Sequence, residues 1–472
     1  MMERINCVIL AAGKGTRMRS KTTKIMHPLM GRPMIRYVLD AARAIEPRRI
    51  IMVTGHGQEE VEGSLKGADI SFALQAEQKG TAHALLAAEE YLAPGDILVL
   101  YGDVPLIQPS TLSRFIDFFR LSAGIAFMTT KVERPDGYGR VITDGTGVIV
   151  DIVEDSEATG PVKEIGVINT GICMIRADML PLVKAITPDN RKGEYYLTDI
   201  CKQARHRGVA VRAFLHEESA EVLGINTRRD LLEAGLVMRD AILDRHMEQG
   251  VTIMDRSTYI ETDVVIGPDT TIFPHSFLMG RTEIGREVTI GPHTVIRDSF
   301  IGDRSIVEPF TSLNGVQTDE GVSIGPFARI RPTTVLRKKV KIGNFVEVKN
   351  STIGDGSKAN HLSYLGDAAV GSGVNIGAGT ITCNYDGVHK HRTTIEDGVF
   401  VGSNTGFVAP VTIGKDAVIG AGSTITHNVP EGALAVTRSK QKHIEGYSRR
   451  KKCAEYSDMW ERARPIPSSS RR

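Results

Sequence analysis

The sequence lacks any apolar run near the roughly twenty residues that a membrane-spanning helix requires, and it shows no secretory signal peptide. Its five cysteines (Cys7, Cys173, Cys201, Cys383 and Cys453) are scattered and odd in number, without the close pairing of metal sites. A large charge excess is also missing, because the net charge is only +2. These absences predict a reduced, cytoplasmic protein with no membrane span, and give no general signal for nucleic-acid binding.

The charge is unevenly distributed along the chain. Residues 438–472 hold eleven Lys or Arg against four Asp or Glu, a net charge of +7, which leaves −5 for the residues before them. We expect residues 455–472 to form a basic, disordered tail rather than a nucleic-acid site. The 472 residues are enough for two or three domains with separate cores.

A glycine-rich loop follows the first apolar run. The run CVIL (residues 7–10) leads into AAGKGTRM (residues 11–18), which places two glycines and two cations after a predicted strand. Backbone N–H groups in such a loop can bind phosphate. The spacing fits neither a Walker loop nor a dinucleotide fingerprint. It resembles instead the signature loop of sugar-nucleotide pyrophosphorylases, with Lys24 as the second basic position of that family.

The first half of the chain alternates strand-like and helix-like segments. Apolar runs at residues 50–53, 71–74, 97–101 and 124–128 are separated by helical periodicity at residues 34–44 and 81–92. This alternation predicts an open, mostly parallel α/β sheet over residues 1–228. Because ligands bind beyond the carboxyl ends of such strands, the loops after Leu10 and Tyr101 should meet. A linker helix over residues 229–249 follows, with Thr227 and Asp230 as its capping box.

The second half, residues 250–454, carries a six-residue repeat. A six-residue period fits neither a helix nor a free strand, but it fits a three-sided coil in which one aliphatic residue per side points inward. It therefore predicts a parallel β-helix of hexapeptide repeats, and families with this repeat wind left-handed. The longest break, between Ile376 and Ile395, carries a cationic run at residues 389–392. The first repeating positions are Ile260, Ile266, Ile272, Leu278, Ile284, Ile290 and Ile296.

Two oxygen-bearing side chains suit a magnesium ion near the phosphate loop. Asp103 follows the run at residues 97–101, and Asn226 follows a second apolar run at residues 221–225, interpreted as another strand. Mg²⁺ prefers one or two protein oxygens, with phosphates and water completing its octahedron. Taken alone, Asp103 could instead cap a helix, Glu154 could be a surface carboxylate and Asn169 could end a strand.

Motifs across the first half resemble the uridylyltransferase half of the bacterial bifunctional enzymes that make UDP-N-acetylglucosamine. They include QAEQ at residues 75–78, YGD at 101–103, GYGR at 137–140, NTG at 169–171 and GIN at 224–226. The resemblance implies Mg²⁺ on Asp103 and Asn226, with Arg17 and Lys24 acting on the phosphates of UTP. The implied nucleotide and sugar contacts are Leu10, Ala11, Ala12, Gly13, Lys24, Gln75, Gly80, Thr81, Tyr101, Gly102, Asp103, Gly139, Glu154, Asn169 and Asn226.

The second half resembles the acetyltransferase half of the same enzymes. His361 matches the family's catalytic base, and a base that titrates near neutrality suits attack of an amine on the acetyl-CoA thioester. Glu347 is expected to orient His361 or to meet the substrate ammonium, and Asn384 to contact the sugar. His389 and His391 are expected to be solvated. The implied glucosamine-phosphate contacts are Arg331, Lys349, Tyr364 and Asn375, and the implied acetyl-CoA contacts are Ala378, Asn384, Tyr385, Ser403, Ala421 and Arg438.

The sequence therefore predicts a bifunctional enzyme. It acetylates glucosamine-1-phosphate with acetyl-CoA and then transfers UMP from UTP to N-acetylglucosamine-1-phosphate, giving a precursor of bacterial envelope polysaccharides. Two alternatives are a single-activity pyrophosphorylase whose β-helix only oligomerises or regulates, and a β-helical scaffold with a degenerate transferase domain. His361 argues against the first alternative, and Arg17, Lys24 and Asp103 argue against the second. The resemblance also implies a homotrimer with acetyl-transfer sites between chains.

Overall fold

The computed structural model describes residues 5–67, 69–122 and 124–451, so Cys453 and the tail predicted for residues 455–472 lie outside the described part. The chain divides into two compact units, Met1–Gly315 and Val316–Arg472. Within the described ranges, no helix combines the length and the apolar character that a membrane crossing needs.

The first unit opens with an α/β region built on one sheet. Its strands are β1 (Asn6–Leu10), β2 (Pro28–Leu29), β3 (Arg32–Pro33), β4 (Arg49–Thr54), β5 (Ser71–Leu74), β6 (Ile97–Tyr101), β7 (Ile125–Lys131), β8 (Arg140–Thr143), β9 (Ile149–Val153), β10 (Val167–Ile175) and β11 (Val211–His216). Its helices are α1 (Met34–Ala44), α2 (Gln58–Ser64), α3 (Thr81–Ala87), α4 (Pro109–Arg120), α5 (Leu180–Lys184), α6 (Ile200–His206) and α7 (Ser219–Val222), and 3₁₀ turns include Thr16–Met18, Lys24–Met26, Glu89–Tyr91, Gly160–Glu164, Ala177–Met179 and Leu197–Asp199.

The main strand order is β11-β7-β10-β6-β1-β4-β5, with β8 and β9 paired beside β10. The pairs β1–β4, β1–β6, β4–β5 and β7–β11 are parallel, and β10 runs antiparallel to β6 and β7. The central strand β1 is buried along its whole length. Val8 and Leu10 pack into the apolar core on one face of the sheet, and Cys7 and Ile9 pack into the core on the other face. The mostly parallel α/β sheet predicted from the sequence is confirmed.

One local expectation was wrong. The run at residues 221–225, interpreted as a strand, instead begins in the short helix α7 and continues without regular structure to Asn226. The run is only five residues long, and periodicity cannot separate a strand from a buried helical turn at that length.

The long helix α8 (Arg228–Glu248) follows directly. Its capping box is present, since Thr227 accepts from the Asp230 N–H and Asp230 accepts from the Thr227 N–H. At about 1.5 Å per residue, its 21 residues extend over roughly 30 Å. Helix α8 leads into a parallel β-helix, as the predicted linker required.

Short strands form the coils of the β-helix in the first unit. They are β12 (Thr252–Ile253), β13 (Tyr259–Ile260), β14 (Val265–Ile266), β15 (Thr271–Ile272), β16 (Phe277–Met279), β17 (Glu283–Ile284), β18 (Thr289–Ile290), β19 (Val295–Arg297), β20 (Phe300–Ile301), β21 (Ile306–Val307) and β22 (Ser312–Asn314). Each strand from β12 to β19 pairs in parallel with the third strand further along the chain, which makes three flat sides. The repeating residues from Ile260 to Ile296 are at most 5% exposed, so they fill the coil interior as predicted.

The second unit has the same construction. Its strands are β23 (Val316–Thr318), β24 (Ser323–Ile324), β25 (Arg329–Ile330), β26 (Thr334–Leu336), β27 (Lys341–Asn344), β28 (Glu347–Lys349), β29 (Thr352–Ile353), β30 (Lys358–His361), β31 (Tyr364–Gly366), β32 (Ala368–Val370), β33 (Asn375–Ile376), β34 (Ile381–Cys383), β35 (Thr393–Ile395), β36 (Phe400–Val401), β37 (Gly406–Val408), β38 (Val411–Ile413), β39 (Val418–Ile419), β40 (Thr424–Ile425) and β41 (Leu434–Ala435). Pairing again joins every third strand, until β39 pairs with β41. Side chains in equivalent positions on successive coils therefore form columns.

Candidate active sites

The phosphate loop and the loop after β6 meet at one edge of the α/β sheet. Leu10 and Tyr101 are register partners in the parallel pair β1–β6, and the Gly102 N–H donates to the Leu10 carbonyl at 3.0 Å. The convergence expected from the strand order is therefore present. A cavity of about 290 Å³ opens here, lined by Leu10, Ala11, Ala12, Gly13, Lys24, Ile25, Gln75, Gln78, Gly80, Thr81, Ala84, Tyr101, Asp103 and Glu194.

Two cations and two oxygen-bearing side chains converge beside this cavity. The Lys24 ammonium forms an ion pair with Asp103 and donates to Asn226 Oδ1 at 2.7 Å. Arg17 Nη2 donates to the same Oδ1 at 2.8 Å. Gly15 permits this packing, because it has φ 59° and a Cβ there would lie 2.5 Å from the Lys24 Cβ.

The oxygen atoms fit a divalent cation. Asp103 and Asn226 both contact the Lys24 ammonium, so a single positive centre already lies within reach of a carboxylate and an amide oxygen. Mg²⁺ binds such hard oxygen ligands in small number when phosphates supply the rest. The donor set therefore suits a magnesium ion shared with a bound nucleotide.

The first turn of α8 holds Asn226 in place. Asp230 accepts from the backbone N–H groups of Asn226 and Thr227 at 2.7 and 2.8 Å. Burial raises the pKa of Asp230, but these hydrogen bonds outweigh it, so the pKa lies below its usual value. The carboxylate therefore stays ionised.

Predicted uracil contacts lie in the wall of the same cavity. Gln75 is buried and donates to the Gly80 carbonyl at 3.0 Å, and the Thr81 hydroxyl accepts from the Leu197 N–H at 2.9 Å. Gly80 has φ 115°, and a Cβ would lie 2.5 Å from the Tyr195 carbonyl oxygen. Sequence reasoning missed Glu194 in this wall, because it lies in a stretch without periodicity or a motif.

Three predicted sugar contacts form a second cluster in the same unit. An ideal Cβ on Gly139 would lie 3.6 Å from Glu154 Oε1 and 3.7 Å from the Asn169 Cβ. The Asn169 N–H donates to the Gly139 carbonyl at 2.8 Å. Burial raises the pKa of Glu154, opposed by a 2.9 Å hydrogen bond from the Thr198 hydroxyl. None of the three lines the 290 Å³ cavity, so the structure forms two adjoining clusters rather than one.

In the second unit, the predicted acetyl-CoA residues follow one corner of successive coils. The backbone carbonyl of His361 accepts a hydrogen bond from the Gly379 N–H, and the carbonyl of Ala378 accepts one from the Asn404 N–H. On the next coils, the carbonyl of Ser403 accepts from the Gly422 N–H, and the carbonyl of Ala421 accepts from Arg438 Nη1 at 3.0 Å. The structure therefore brings His361, Ala378, Ser403, Ala421 and Arg438 into one column.

Asn344 orients the imidazole of His361. The two residues are register partners in β27 and β30, and Nδ1 of His361 lies 2.7 Å from Asn344 Oδ1. With this oxygen as acceptor, Nδ1 carries the proton and Nε2 keeps a lone pair. The expected partner, Glu347, instead accepts from Arg331 at 3.0 Å. Sequence reasoning missed Asn344, because its coil carries no motif.

A cluster of cations lies around Asp367. Lys349 is 3.6 Å from this carboxylate, and Asn350 and Asn384 donate to it. Burial raises the pKa of Asp367, but these hydrogen bonds and the lysine charge outweigh it and the pKa is lowered. Lys390, which the sequence showed only as part of a cationic run, lies next to Lys349 in this cluster. The neighbouring lysine lowers the pKa of the Lys390 ammonium.

The remaining predicted acceptor and acetyl-CoA contacts lie on nearby coils. Tyr364 is the register partner of Glu347, and Asn375 is the register partner of Lys358. Tyr385, next to Asn384, is exposed. His391, expected to be solvated, is only partly exposed, and its Nε2 lies 2.7 Å from Asp386 Oδ2.

Comparison with known proteins also separates an α/β region from a hexapeptide-repeat region. Residues 7–221 match the MobA-like NTP transferase domain, and residues 263–298 and 392–427 match the bacterial transferase hexapeptide repeats. The chain is 46% identical to the bifunctional protein GlmU of Geotalea uraniireducens, over 96% of this chain and 100% of the relative. It is 48% identical to the same protein of Desulfitobacterium hafniense, over 94% and 98%, and 46% identical to that of Thermotoga maritima, over 95% and 99%.

The family models and the relatives confirm the predicted fold class, including the left-handed β-helix of hexapeptide repeats. They also confirm the combination of two transferase activities in one chain, since the relatives match it along nearly their whole length. The chain belongs to the family of bifunctional GlmU proteins, the two-step enzymes of UDP-N-acetylglucosamine synthesis.

Proposed function

We propose that residues 1–228 carry uridylyl transfer and residues 250–454 carry acetyl transfer, with residues 229–249 as the linker. The observation that carries this proposal is the separation of two chemically different clusters. Lys24, Asp103 and Asn226 form a phosphate and metal cluster in the first unit. His361, whose Nδ1 lies 2.7 Å from Asn344 Oδ1, supplies a base in the second unit.

In uridylyl transfer, a phosphate oxygen of N-acetylglucosamine-1-phosphate attacks the α-phosphorus of UTP in line. The bond between the α-phosphorus and its bridging oxygen breaks, and pyrophosphate leaves. Arg17 and Lys24 lie where they can neutralise the charge on the phosphates, and the loop at residues 12–15 would supply N–H groups. Positioning and charge stabilisation supply the rate enhancement, because no covalent intermediate is needed.

Asp103 and Asn226 would hold Mg²⁺, which when bound supplies positive charge to the phosphate oxygens. Their contacts with Lys24 support this role, because the two side chains already present oxygen atoms to one cation. Gln75, Gly80 and Thr81 would contact the uracil. Further contacts to the nucleotide would come from Leu10, Ala11, Ala12, Gly13, Tyr101 and Gly102, and contacts to the sugar from Gly139, Glu154 and Asn169.

In acetyl transfer, the amine of glucosamine-1-phosphate attacks the thioester carbonyl of acetyl-CoA. His361 Nε2 accepts the proton from the amine, the carbon–sulfur bond breaks, and the departing sulfur is protonated to the thiol. The Nδ1–H bond to Asn344 supports this assignment, because it leaves Nε2 as the basic atom. Tyr364, Asn375 and Asn384 would contact the sugar.

The cationic cluster suits the sugar phosphate. Lys349 and Lys390 are neighbouring like charges, and their repulsion in the free protein lowers the pKa of the Lys390 ammonium. A phosphate dianion between them would relieve that repulsion, and Arg331 lies on the neighbouring coil, where its N–H donates to the Val348 carbonyl at 2.8 Å. The acetyl-CoA chain would extend along the column of Ala378, Ser403, Ala421 and Arg438, with Tyr385 beside it.

Trimer formation and a cytoplasmic location complete the proposal. Phe327 and Phe345 stack at 5.3 Å between ring centroids, yet are 47% and 56% exposed, an apolar surface suited to another copy of the chain. The four described cysteines are free, which suits the reducing cytoplasm, and we expect UTP and acetyl-CoA to be available there.

The test compares Asp103→Asn and His361→Ala in two assays on the same preparations. Pyrophosphate release from UTP and N-acetylglucosamine-1-phosphate measures one activity, and thiol release from acetyl-CoA and glucosamine-1-phosphate, without UTP, measures the other. Asp103→Asn should lose only pyrophosphate release, and His361→Ala should lose only thiol release. Exposed Asp136 and His427 supply the matched controls Asp136→Asn and His427→Ala.

Loss of both activities in either variant, with an unchanged melting temperature, would contradict two independent sites. Absence of thiol release from the wild type would favour a pyrophosphorylase with a structural β-helix. Unchanged thiol release by His361→Ala would remove this residue as the base.

A further inference from the structure

Arg140 is a buried cation that the proposed chemistry does not use. Its side chain is 2% exposed, although it carries the cationic guanidinium group. Burying a charge is costly unless specific partners compensate for it. Arg140 Nε has no hydrogen-bond partner among the described residues, so the compensation is incomplete. A buried charge that is compensated only in part points to a role beyond packing.

The contacts of Arg140 lie on both sides of the sugar cluster. Nη1 lies 3.0 Å from Asp155 Oδ1 and also donates to the Tyr138 carbonyl. Its backbone is in register with Val153 of β9 and Ile168 of β10. The side chain thus joins the loop at residues 138–140 to the chain that follows β9.

These contacts bracket the predicted sugar-binding groups. Glu154 lies between Val153, which pairs with the Arg140 backbone, and Asp155, which pairs with its guanidinium. Gly139 lies between Arg140 and Tyr138, whose carbonyl the guanidinium holds. Movement of the guanidinium would therefore displace Gly139 and Glu154 together.

We infer that Arg140 is a positioning residue for the acceptor sugar, fixing Gly139 and Glu154 through Tyr138 and Asp155. This inference rests on the proposed uridylyl transfer at that cluster. The UTP contacts at Lys24 and Gln75 hydrogen-bond to other groups, so Arg140 determines affinity for the sugar phosphate and not for UTP.

Steady-state kinetics of Arg140→Met, Arg140→Lys and Asp155→Asn test the inference. Arg140→Met should raise the KM for N-acetylglucosamine-1-phosphate by about tenfold to a hundredfold, with the KM for UTP unchanged. Arg140→Lys should recover part of this loss, because one ammonium reaches only one of the two partners. Asp155→Asn, at a 41% exposed side chain, should raise the same KM less and fold normally.

Thiol release in each preparation and the melting temperature report folding. Equal rises in both KM values, a fall in kcat alone, or no change in all three variants would overturn the inference. If Arg140→Met does not fold, Arg140→Lys and Asp155→Asn decide by the same criterion. Absence of sugar-dependent pyrophosphate release from the wild type would instead overturn the proposed function itself.

Discussion

His246 gives the stability of the first unit a specific dependence on pH. It lies near the end of α8, is 2% exposed, and neither ring nitrogen has a hydrogen-bond partner among the described residues. Burial, followed by the charge of Arg245, lowers its pKa from 6.5 to about 4. We predict that protonation of His246 destabilises this region as the pH falls.

The sign follows from the direction of the shift. The folded state favours neutral His246, so its contribution is fully present above pH 6.5 and is lost as the pH falls from 6.5 through about 4. At about 1.4 kcal/mol per pKa unit, the loss is about 2 kcal/mol at pH 5 and about 3 kcal/mol below pH 4. With an unfolding entropy of about 2.1 cal/mol/K per residue, a loss of about 2 kcal/mol in the unit Met1–Gly315 corresponds to a fall of roughly 3 °C in Tm.

The assay compares the Tm of wild type and His246→Leu between pH 7.5 and 5. Other titrating groups act equally in both proteins, so the Tm difference isolates His246. The leucine variant should gain stability relative to wild type as the pH falls, and exposed His206→Leu should follow the wild type. As the pH falls, the protection factors of the Gln249 and Val251 amides, which donate to the His246 carbonyl, should decrease in wild type and His206→Leu but not in His246→Leu. A Tm difference that stays constant across this pH range would refute the reasoning.

Two further predictions concern the substrates. Gly80→Ala should raise the KM for UTP and leave thiol release intact. The reason is that a Cβ at this position, where φ is 115°, would lie 2.5 Å from the Tyr195 carbonyl oxygen. An unchanged KM for UTP would show that the loop moves at little cost. Lys390→Ala should raise the KM for glucosamine-1-phosphate roughly tenfold, the effect of one charged hydrogen bond, and leave the KM for acetyl-CoA unchanged. A change confined to acetyl-CoA would place Lys390 outside the phosphate site.

The β-helix could be predicted because its repeat has a direct physical cause. Each coil must place one aliphatic residue per side in its interior, so Ile272 and Ile290 recur at the same position and pair in register. Helix α1 was equally predictable, since its apolar positions follow the helical period and residues 34–44 are the bounds observed. The short run at residues 221–225 has no period to read, so tertiary contacts decide its conformation.

The contacts between individual site residues were harder to predict from the sequence. Asn344 and His361 are 17 residues apart and meet only because β27 and β30 lie in register on successive coils. Lys390 reaches Lys349 across the break in the repeat, where chain position carries no register. Motif resemblance identified the main side chains of the candidate sites. Their hydrogen-bond and charge partners depend on how successive coils stack, which the spacing of residues in the sequence does not specify.

Helix α8 is more than a spacer, because its first turn holds Asn226, a residue of the proposed uridylyl-transfer site. Asp230 caps the helix and also holds the backbone of Asn226, whose side chain contacts both Arg17 and Lys24. Arg228, the first helical residue, donates to the Met18 carbonyl at the end of the phosphate loop. Since the helix begins on the same residues that hold Asn226, the proposed metal ligand, any change that frays its first turn should alter uridylyl transfer before it alters the β-helix.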